Sequence, residues 1–115
     1  MIWAVVGSRD LPSQTRSLVR ETLAQHIRLG DAIVSGGARG VDSWAEEWAR
    51  ENGVPVNVIR PDWHRYGKAA GMLRNTQIIQ QANAVLACWD GESRGTLDGI
   101  RKARRARKML LVCRC

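Results

Sequence analysis

Five short apolar runs alternate with segments of helical periodicity along the chain, and this alternation limits the folds open to it. The runs, each of strand length, are Ile2–Val6, Ala32–Ser35, Val54–Ile59, Ala84–Trp89 and Met109–Val112. Helices are predicted from Pro12 or Ser13 to Leu29, from Val41 until Gly53, from Ala69 to Ala82 and from Thr96 to Lys108. Right-handed crossovers then predict a single doubly wound α/β domain over residues 1–115, with five parallel strands in the order 3-2-1-4-5 flanked by helices.

The second predicted helix has a clear amphipathic pattern. One face carries Val41, Trp44, Ala45 and Trp48, and the other carries Glu46, Glu47, Arg50 and Glu51. We therefore expect the two tryptophans to lie in the core and the glutamates to face solvent.

The three cysteines are an odd number without a Cys-x-x-Cys spacing, so no disulfide framework is predicted. Cys113 and Cys115 point the same way if both lie on a strand, and the thiols are interpreted as reduced and structural. Two distant histidines and Cys113-x-Cys115 match no metal-ligand spacing, so no metal is expected. Because the chain shows neither a signal-peptide pattern nor the ~18 apolar residues of a membrane span, we expect a cytoplasmic protein without a membrane partner.

The net charge of +7 lies in one segment near the C-terminus. Residues 101–114 contain no acid and seven basic side chains, namely Arg101, Lys102, Arg104, Arg105, Arg107, Lys108 and Arg114. A basic helix over residues 101–108 would attract nucleic acid or another polyanion. The alternative is a solvated outer face of the last helix.

A glycine-rich stretch follows the second apolar run. Ile33-Val34-Ser35 leads into Gly36-Gly37-Ala38-Arg39-Gly40, and a helix begins at Val41-Asp42. Glycines let another molecule approach the backbone, and a helix N-terminus offers unpaired N–H groups to an anion. The stretch therefore resembles a phosphate site, and the alternative is a turn that merely needs glycine.

Four polar or glycine-rich segments each follow the end of a predicted strand. They are Gly7–Asp10, Ser35–Asp42, Pro61–Lys68 and Asp90–Thr96. The carboxyl ends of parallel strands meet at one edge of the sheet, where open α/β sheets bind ligands. The four segments therefore predict a binding site at that edge.

A serine hydrolase is excluded, although Gly91-Glu92-Ser93-Arg94-Gly95 matches the Gly-x-Ser-x-Gly pattern of a hydrolase nucleophile. Such hydrolases place the catalytic Asp and His after the serine. Here the only histidines, His26 and His64, both precede Ser93.

In order and spacing, the motifs of the chain resemble the YspA-like branch of the SLOG superfamily. They are Val6-Gly7-Ser8-Arg9, Ser35-Gly36-Gly37-Ala38-Arg39-Gly40-Val41-Asp42, Asp62-Trp63 with Gly67-Lys68-Ala69-Ala70-Gly71, Arg74-Asn75, and Trp89-Asp90-Gly91 with Ser93-Arg94-Gly95-Thr96. The resemblance implies a Rossmann-like domain that binds nucleotides or nucleotide-derived ligands. It implies no firm activity for this branch itself.

Two related families suggest alternatives. The glycine stretch with Arg74-Asn75 resembles the single-strand-DNA-binding surface of DprA proteins. Arg74 and Gly95-Thr96 resemble catalytic segments of the LOG phosphoribohydrolases, which hydrolyse the N-glycosidic bond of nucleoside 5′-monophosphates. The same resemblance suggests that this protein forms a homodimer. Gly99 stands where the LOG loop has its essential Glu, and Asp98 is one residue, or about 100° of helix, away. This departure argues against LOG-type hydrolysis, for which Arg74 and Asp98 are the catalytic candidates.

The expected ligand is a nucleotide of the AMP or ADP-ribose type, sensed or bound rather than held as a fixed cofactor. Its phosphate is expected on the N–H groups of Gly36-Gly37 and Gly95-Thr96. The guanidinium group of Arg39, Arg74 or Arg94 would add a two-pronged contact to the phosphate. Asp42 or Asp62 would accept from a ribose hydroxyl, and Trp63 or Trp89 would stack on a base. The residues assigned to binding are Gly7, Ser8, Arg9, Ser35, Gly36, Gly37, Arg39, Gly40, Asp42, Asp62, Trp63, Gly71, Arg74, Asn75, Asp90, Arg94, Gly95 and Thr96.

Overall fold

The computed structural model describes residues 1–115 and contains one parallel sheet in the order β3-β2-β1-β4-β5. The strands are β1 (Ile2–Gly7), β2 (Ala32–Ser35), β3 (Val56–Val58), β4 (Ala84–Trp89) and β5 (Met109–Arg114). The helices are α1 (Arg16–His26), α2 (Val41–Glu51), α3 (Trp63–Tyr66), α4 (Ala70–Gln81) and α5 (Arg94–Arg105), with 3-10 turns at Ser13–Thr15 and Gly67–Ala69. The predicted fold class and strand order are confirmed. No helix is both long enough and apolar enough to cross a membrane.

Several element ends differ from the prediction because local hydrogen bonds and backbone angles override the periodic pattern. Helix α1 stops at His26, since Ile27 is extended and the Asp31 carboxylate accepts the N–H of Arg28 at 2.9 Å. Helix α5 ends at Arg105, because Arg107 has a left-handed φ of 56°. The segment predicted as a loop over Pro61–Lys68 contains α3, whose first turn is capped by Asp62.

The central strands β1 and β4 are buried between two layers of helices. Helices α1 and α2 pack on one face, where Leu23 and Trp48 are buried and Trp44 is partly buried. Helices α4 and α5 cover the other face with Ile78 and Ile100. The predicted core position is therefore confirmed for Trp48, and Trp44 packs against the same core while partly exposed.

Two glycines allow the end of β1 to contact the start of α2 directly. A Cβ atom on Gly7 would lie 2.4 Å from the Cβ of Val41. Gly40 has a φ of 76°, and a Cβ atom there would lie 2.6 Å from the carbonyl oxygen of Ser8. Packing requires both glycines, independently of any ligand at the adjoining loop.

We expect Gly40→Ala to lower the free energy of unfolding by at least about 2 kcal/mol, from backbone strain together with overpacking. Urea denaturation monitored by circular dichroism measures the loss. Gly53→Ala is the matched control, because Gly53 also has a positive φ, 67°, but its Cβ would meet nothing within 4 Å. Equal losses in the two variants would contradict the packing argument.

Candidate functional site

A crevice of about 370 Å³ opens at the carboxyl edge of the sheet, beside β1 and between the N-terminal parts of α4 and α5. The connections reverse direction between β1 and β4, and such switch points are where open α/β sheets bind ligands. The crevice brings together Gly7, Arg9, Asp42, Trp63, Gly71, Arg74, Asn75, Arg94, Gly95 and Thr96 of the predicted binding residues, and Asp98 of the catalytic candidates. Its volume is within the range of about 300–1,000 Å³ typical of small-molecule sites.

Asn75 connects the two helices that form the crevice. Its side-chain nitrogen donates to the carbonyl oxygen of Gly95 at 3.2 Å and to Asp98 at 3.1 Å. Its oxygen accepts from Nε of Arg74 at 3.0 Å. The Asp98 carboxylate also pairs with Lys102 at 2.8 Å, one turn along α5. Asp98 therefore lies on the crevice wall, with its charge balanced by Lys102.

Arg74 is half-buried and held against the glycine loop. One terminal nitrogen donates to the carbonyl oxygen of Gly36, and Nε donates to Asn75. Burial lowers the pKa of Arg74, the charge of Asp42 opposes this shift, and nearby Arg9 adds to it. An anion in the crevice would relieve the repulsion between the two guanidinium groups.

Asp42, in the first turn of α2, is buried beside the glycine loop. It accepts from the N–H of Ala38 at 3.2 Å, so its own carboxylate occupies part of the loop that the sequence assigned to phosphate. Burial raises the pKa of Asp42 to about 7, and the neighbouring Glu46 adds to this effect. The backbone of Ala38 and the charge of Arg74 act in the opposite direction.

Glu46 lies on the same face of α2 as Asp42, one turn later, and it is buried rather than solvated as predicted. Its carboxylate accepts from the hydroxyl of Ser35 at 2.8 Å. The apolar pattern missed this position because the partner hydroxyl belongs to the end of another strand. Ser35 therefore supports α2 from below the crevice and does not line it.

Ser8 and Asp90 shape the loop before α5. The buried Ser8 hydroxyl accepts from the N–H of Asp90 at 3.2 Å. Asp90 in turn accepts from the N–H groups of Ser93 and Glu92, both at 2.8 Å, and these bonds lower its pKa. Both residues act through the loop conformation and lie outside the main crevice.

A second groove of about 310 Å³ adjoins the crevice. Both are lined by Arg9, Ala38, Trp63 and Arg74, and the groove adds Gly37, Arg39, Arg60 and Pro61. Arg39 contacts Asp10 at 2.8 Å, and Arg60 donates to the carbonyl oxygen of Gly37 at 3.1 Å. Gly36 packs against Arg74, and Gly40 packs against the Ser8 carbonyl. Asp62 caps α3.

The two candidate stacking residues have different environments. Trp63 is 56% exposed and lines both the crevice and the groove. The indole N–H of Trp89 donates to the Ser93 carbonyl at 3.1 Å, and Arg114 lies over its ring. Trp63 alone has a ring available to a molecule in the crevice.

Sequence reasoning missed several residues that complete the crevice. They are Val6, Ala38, Lys68, Met72, Ile78 and Ser93. Lys68 and Ser93 belong to segments predicted to reach this edge, so assigning every polar residue of those segments to the site would have included them. Met72 and Ile78 lie on α4, where periodicity alone does not separate a core face from a crevice wall.

The sequence profile of the YspA, cpYpsA-related SLOG family matches residues 2–66. The Gene 61 protein of Mycobacterium phage D29 is 38% identical over 111 residues, covering 89% of this chain and 87% of that protein.

Solved structures of DNA processing protein A share the fold. The Helicobacter pylori protein, described with a unique single-stranded DNA binding mode, superimposes with a TM-score of 0.76 at 23% identity, covering 97% of this chain and 64% of that one. The Streptococcus pneumoniae protein gives a TM-score of 0.80 at 22% identity, covering 96% of this chain. This chain spans 49% of that second structure, so it corresponds to part of each of these proteins.

Proposed function

This chain belongs to the YspA, cpYpsA-related SLOG family, and from that premise we propose that its crevice binds a phosphorylated nucleotide derivative. The class is that of AMP and ADP-ribose, a purine-type base and ribose joined to one or two phosphates. The protein would act as a binding or sensing module for that molecule.

An excess of unpaired positive charge in the crevice carries this proposal. Arg9, Lys68, Arg74 and Arg94 line it, and none of the four takes part in an ion pair with a carboxylate. The two carboxylates on its wall are Asp42, whose pKa is raised, and Asp98, which is paired with Lys102. A concave site with this balance favours a ligand carrying two or more negative charges.

The N-terminus of α5 is the best-supported position for a phosphate. Gly95 lines the crevice, and nothing lies within 4 Å of the place where its Cβ would be. A phosphate can therefore approach the N–H groups of Arg94 and Gly95 at the start of this 12-residue helix, with Arg74 across the crevice, whereas the N–H of Thr96 donates to the Ser93 hydroxyl. Each charge-assisted hydrogen bond contributes about 1.5–3 kcal/mol, so two or three contribute about 3–9 kcal/mol before ordering costs, and the roughly 8 kcal/mol of a micromolar Kd is the upper end of that range.

The adjoining groove supports a diphosphate over a monophosphate. Arg9 and Arg74 border both spaces, and Arg60 extends the positive charge along the groove. Trp63 also borders both spaces and offers an aromatic face to a base. We therefore expect ADP-ribose to bind more tightly than AMP.

Calorimetry and thermal shift with ADP-ribose, AMP, adenosine and inorganic phosphate test the proposal. We expect ADP-ribose to bind at micromolar concentration and AMP about tenfold more weakly. Adenosine should not bind measurably, because it lacks the phosphate that makes every charge-assisted hydrogen bond. Trp63→Ala should weaken the binding of ADP-ribose about tenfold, which is within the range expected for loss of one aromatic stacking contact. Absence of stabilisation by any nucleotide at millimolar concentration would show that the crevice is not a nucleotide site.

Single-stranded DNA is a second candidate, favoured by the arginines that continue from the crevice into the groove. An oligothymidylate included in the same panel distinguishes the two. Binding of the oligomer at lower concentration than ADP-ribose, with a steep dependence on salt, would favour the nucleic acid. Charge reversal of Arg101, Arg104 and Arg105 on the exposed part of α5 would show whether that basic helix takes part.

A further inference from the structure

Three cysteines that are far apart in the sequence meet on one face of the sheet. Cys88 on β4 pairs in register with Cys113 on β5, and Cys115 follows two residues later on the same side. The Sγ atoms of Cys113 and Cys115 are 3.9 Å apart, and all three sulfurs lie within 4.8 Å of one another. The cluster is on the face covered by α1 and α2, and none of its members lines the crevice.

These spacings match those of sulfurs that share one metal ion. Three sulfurs bound at about 2.3 Å in a trigonal plane are separated from one another by about 4.0 Å. The pair at 3.9 Å already has this separation, and since no two of the sulfurs are more than 4.8 Å apart, a shift of the third sulfur by less than about 1 Å completes it. The register of β4 and β5, rather than chance proximity of loops, fixes the arrangement.

The surroundings of the thiols suit a soft ion. Cys88 is buried, while Cys113 and Cys115 are partly exposed on the edge strand of the sheet, which gives an ion a path to the sulfurs. The cluster contains no imidazole and no carboxylate. All-sulfur ligand sets select soft ions such as Cu(I) over hard ions such as Mg²⁺ or Ca²⁺.

We propose that Cys88, Cys113 and Cys115 form a three-sulfur site for a single Cu(I) ion. Three ligands satisfy Cu(I), whereas Zn²⁺ in a structural protein site takes four. Each cysteine that coordinates as a thiolate releases its proton to solvent, and the ion keeps its oxidation state, so no further reactant is needed. The expectation of no metal site considered the two histidines and the Cys113-x-Cys115 spacing, whereas Cys88 enters the cluster through strand pairing.

Anaerobic titration of the full chain with Cu(I), in competition with the chromogenic chelator bicinchoninate, tests the site. A thiol count beforehand ensures that all three cysteines are reduced. We expect one equivalent of Cu(I) to bind, and X-ray absorption to show three sulfur neighbours at about 2.3 Å. Zn²⁺ under the same conditions should bind more weakly.

Cys88→Ala and Cys115→Ser should each weaken Cu(I) binding tenfold or more, by loss of one of three ligands. Cys115→Ser changes a partly exposed position, so it remains informative if Cys88→Ala fails to fold. Val112→Ser, an exposed position on the same strand, is the matched control and should keep wild-type affinity. Unchanged affinity in Cys88→Ala, or no uptake by the wild type, would overturn the site, and neither result bears on the nucleotide crevice.

Discussion

Gly95→Leu is expected to abolish binding of ADP-ribose up to millimolar concentration while the protein stays folded. Gly95 lies in the first turn of α5 without a positive φ, and its Cβ direction is open. A leucine there fits the backbone and places about four carbon atoms in the space assigned to the phosphate. The measurement is calorimetry with ADP-ribose, together with the thermal midpoint of the unliganded variant.

The matched control is Arg101→Leu, on the same helix but outside the crevice, which should leave binding within about twofold of wild type. Arg74→Ala gives an independent loss at the opposite wall. It should weaken binding about 10- to 100-fold, by removal of a charge-assisted hydrogen bond. If Gly95→Leu folds and still binds ADP-ribose as tightly as the wild type, the phosphate does not lie at α5.

The fold could be predicted because the signals that determine it are local and repeated. Each apolar run is interrupted by a polar turn, and parallel strands joined by helices leave few topologies. Helix ends were less predictable because they depend on single contacts. The bond from the N–H of Arg28 to Asp31 and the left-handed backbone at Arg107 are not encoded in periodicity.

The candidate site could be predicted in position but only partly in composition. Residues such as Arg9, Arg94 and Gly95 belong to segments that follow strands, so topology alone takes them to the crevice. Ser8 and Asp90 lie even nearer to their strand ends, yet a hydrogen bond between their two loops and others within the second loop engage them. Sequence proximity to the sheet edge does not distinguish a residue that faces a ligand from one that shapes the loop.

The glycine-rich stretch illustrates the same limit. Packing and backbone angles explain two of its glycines, and its role in binding a phosphate stays a prediction. Gly40 is required by contact with the Ser8 carbonyl, and Gly37 by its φ of 71° and by Val58, whose Cγ1 would lie 2.9 Å from a Cβ atom there. The open glycine at a helix start is Gly95, in the segment that also matches the hydrolase-like pattern.

Asp42→Asn is expected to stabilise the protein at neutral pH, by up to about 4 kcal/mol. The pKa of Asp42 rises from 3.8 to about 7 on folding, so the folded state keeps a proton that the unfolded state has lost. Between these values stability therefore falls as pH rises, and each pKa unit corresponds to about 1.4 kcal/mol. Asparagine can still accept from the N–H of Ala38 but carries no charge to bury. Urea denaturation of both proteins from pH 4 to pH 8 measures the difference, which should be small at pH 4 and largest at pH 8.

Protonation of Asp42 should also control the affinity of the crevice for ADP-ribose. Glu46 and Arg74 face Asp42, and a bound pyrophosphate would add negative charge beside it, so binding should favour the protonated carboxyl. Wild-type affinity for ADP-ribose is expected to fall by up to about tenfold per pH unit above pH 7, while Asp42→Asn binds evenly from pH 6 to pH 8. ADP-ribose is the right probe because its pyrophosphate keeps its charge over this range. His64→Gln, which removes an imidazole on α3 that does not line the crevice, is the control and should leave the pH profile unchanged. A pH profile that persists in Asp42→Asn would assign the effect to another group and separate this carboxylate from ligand binding.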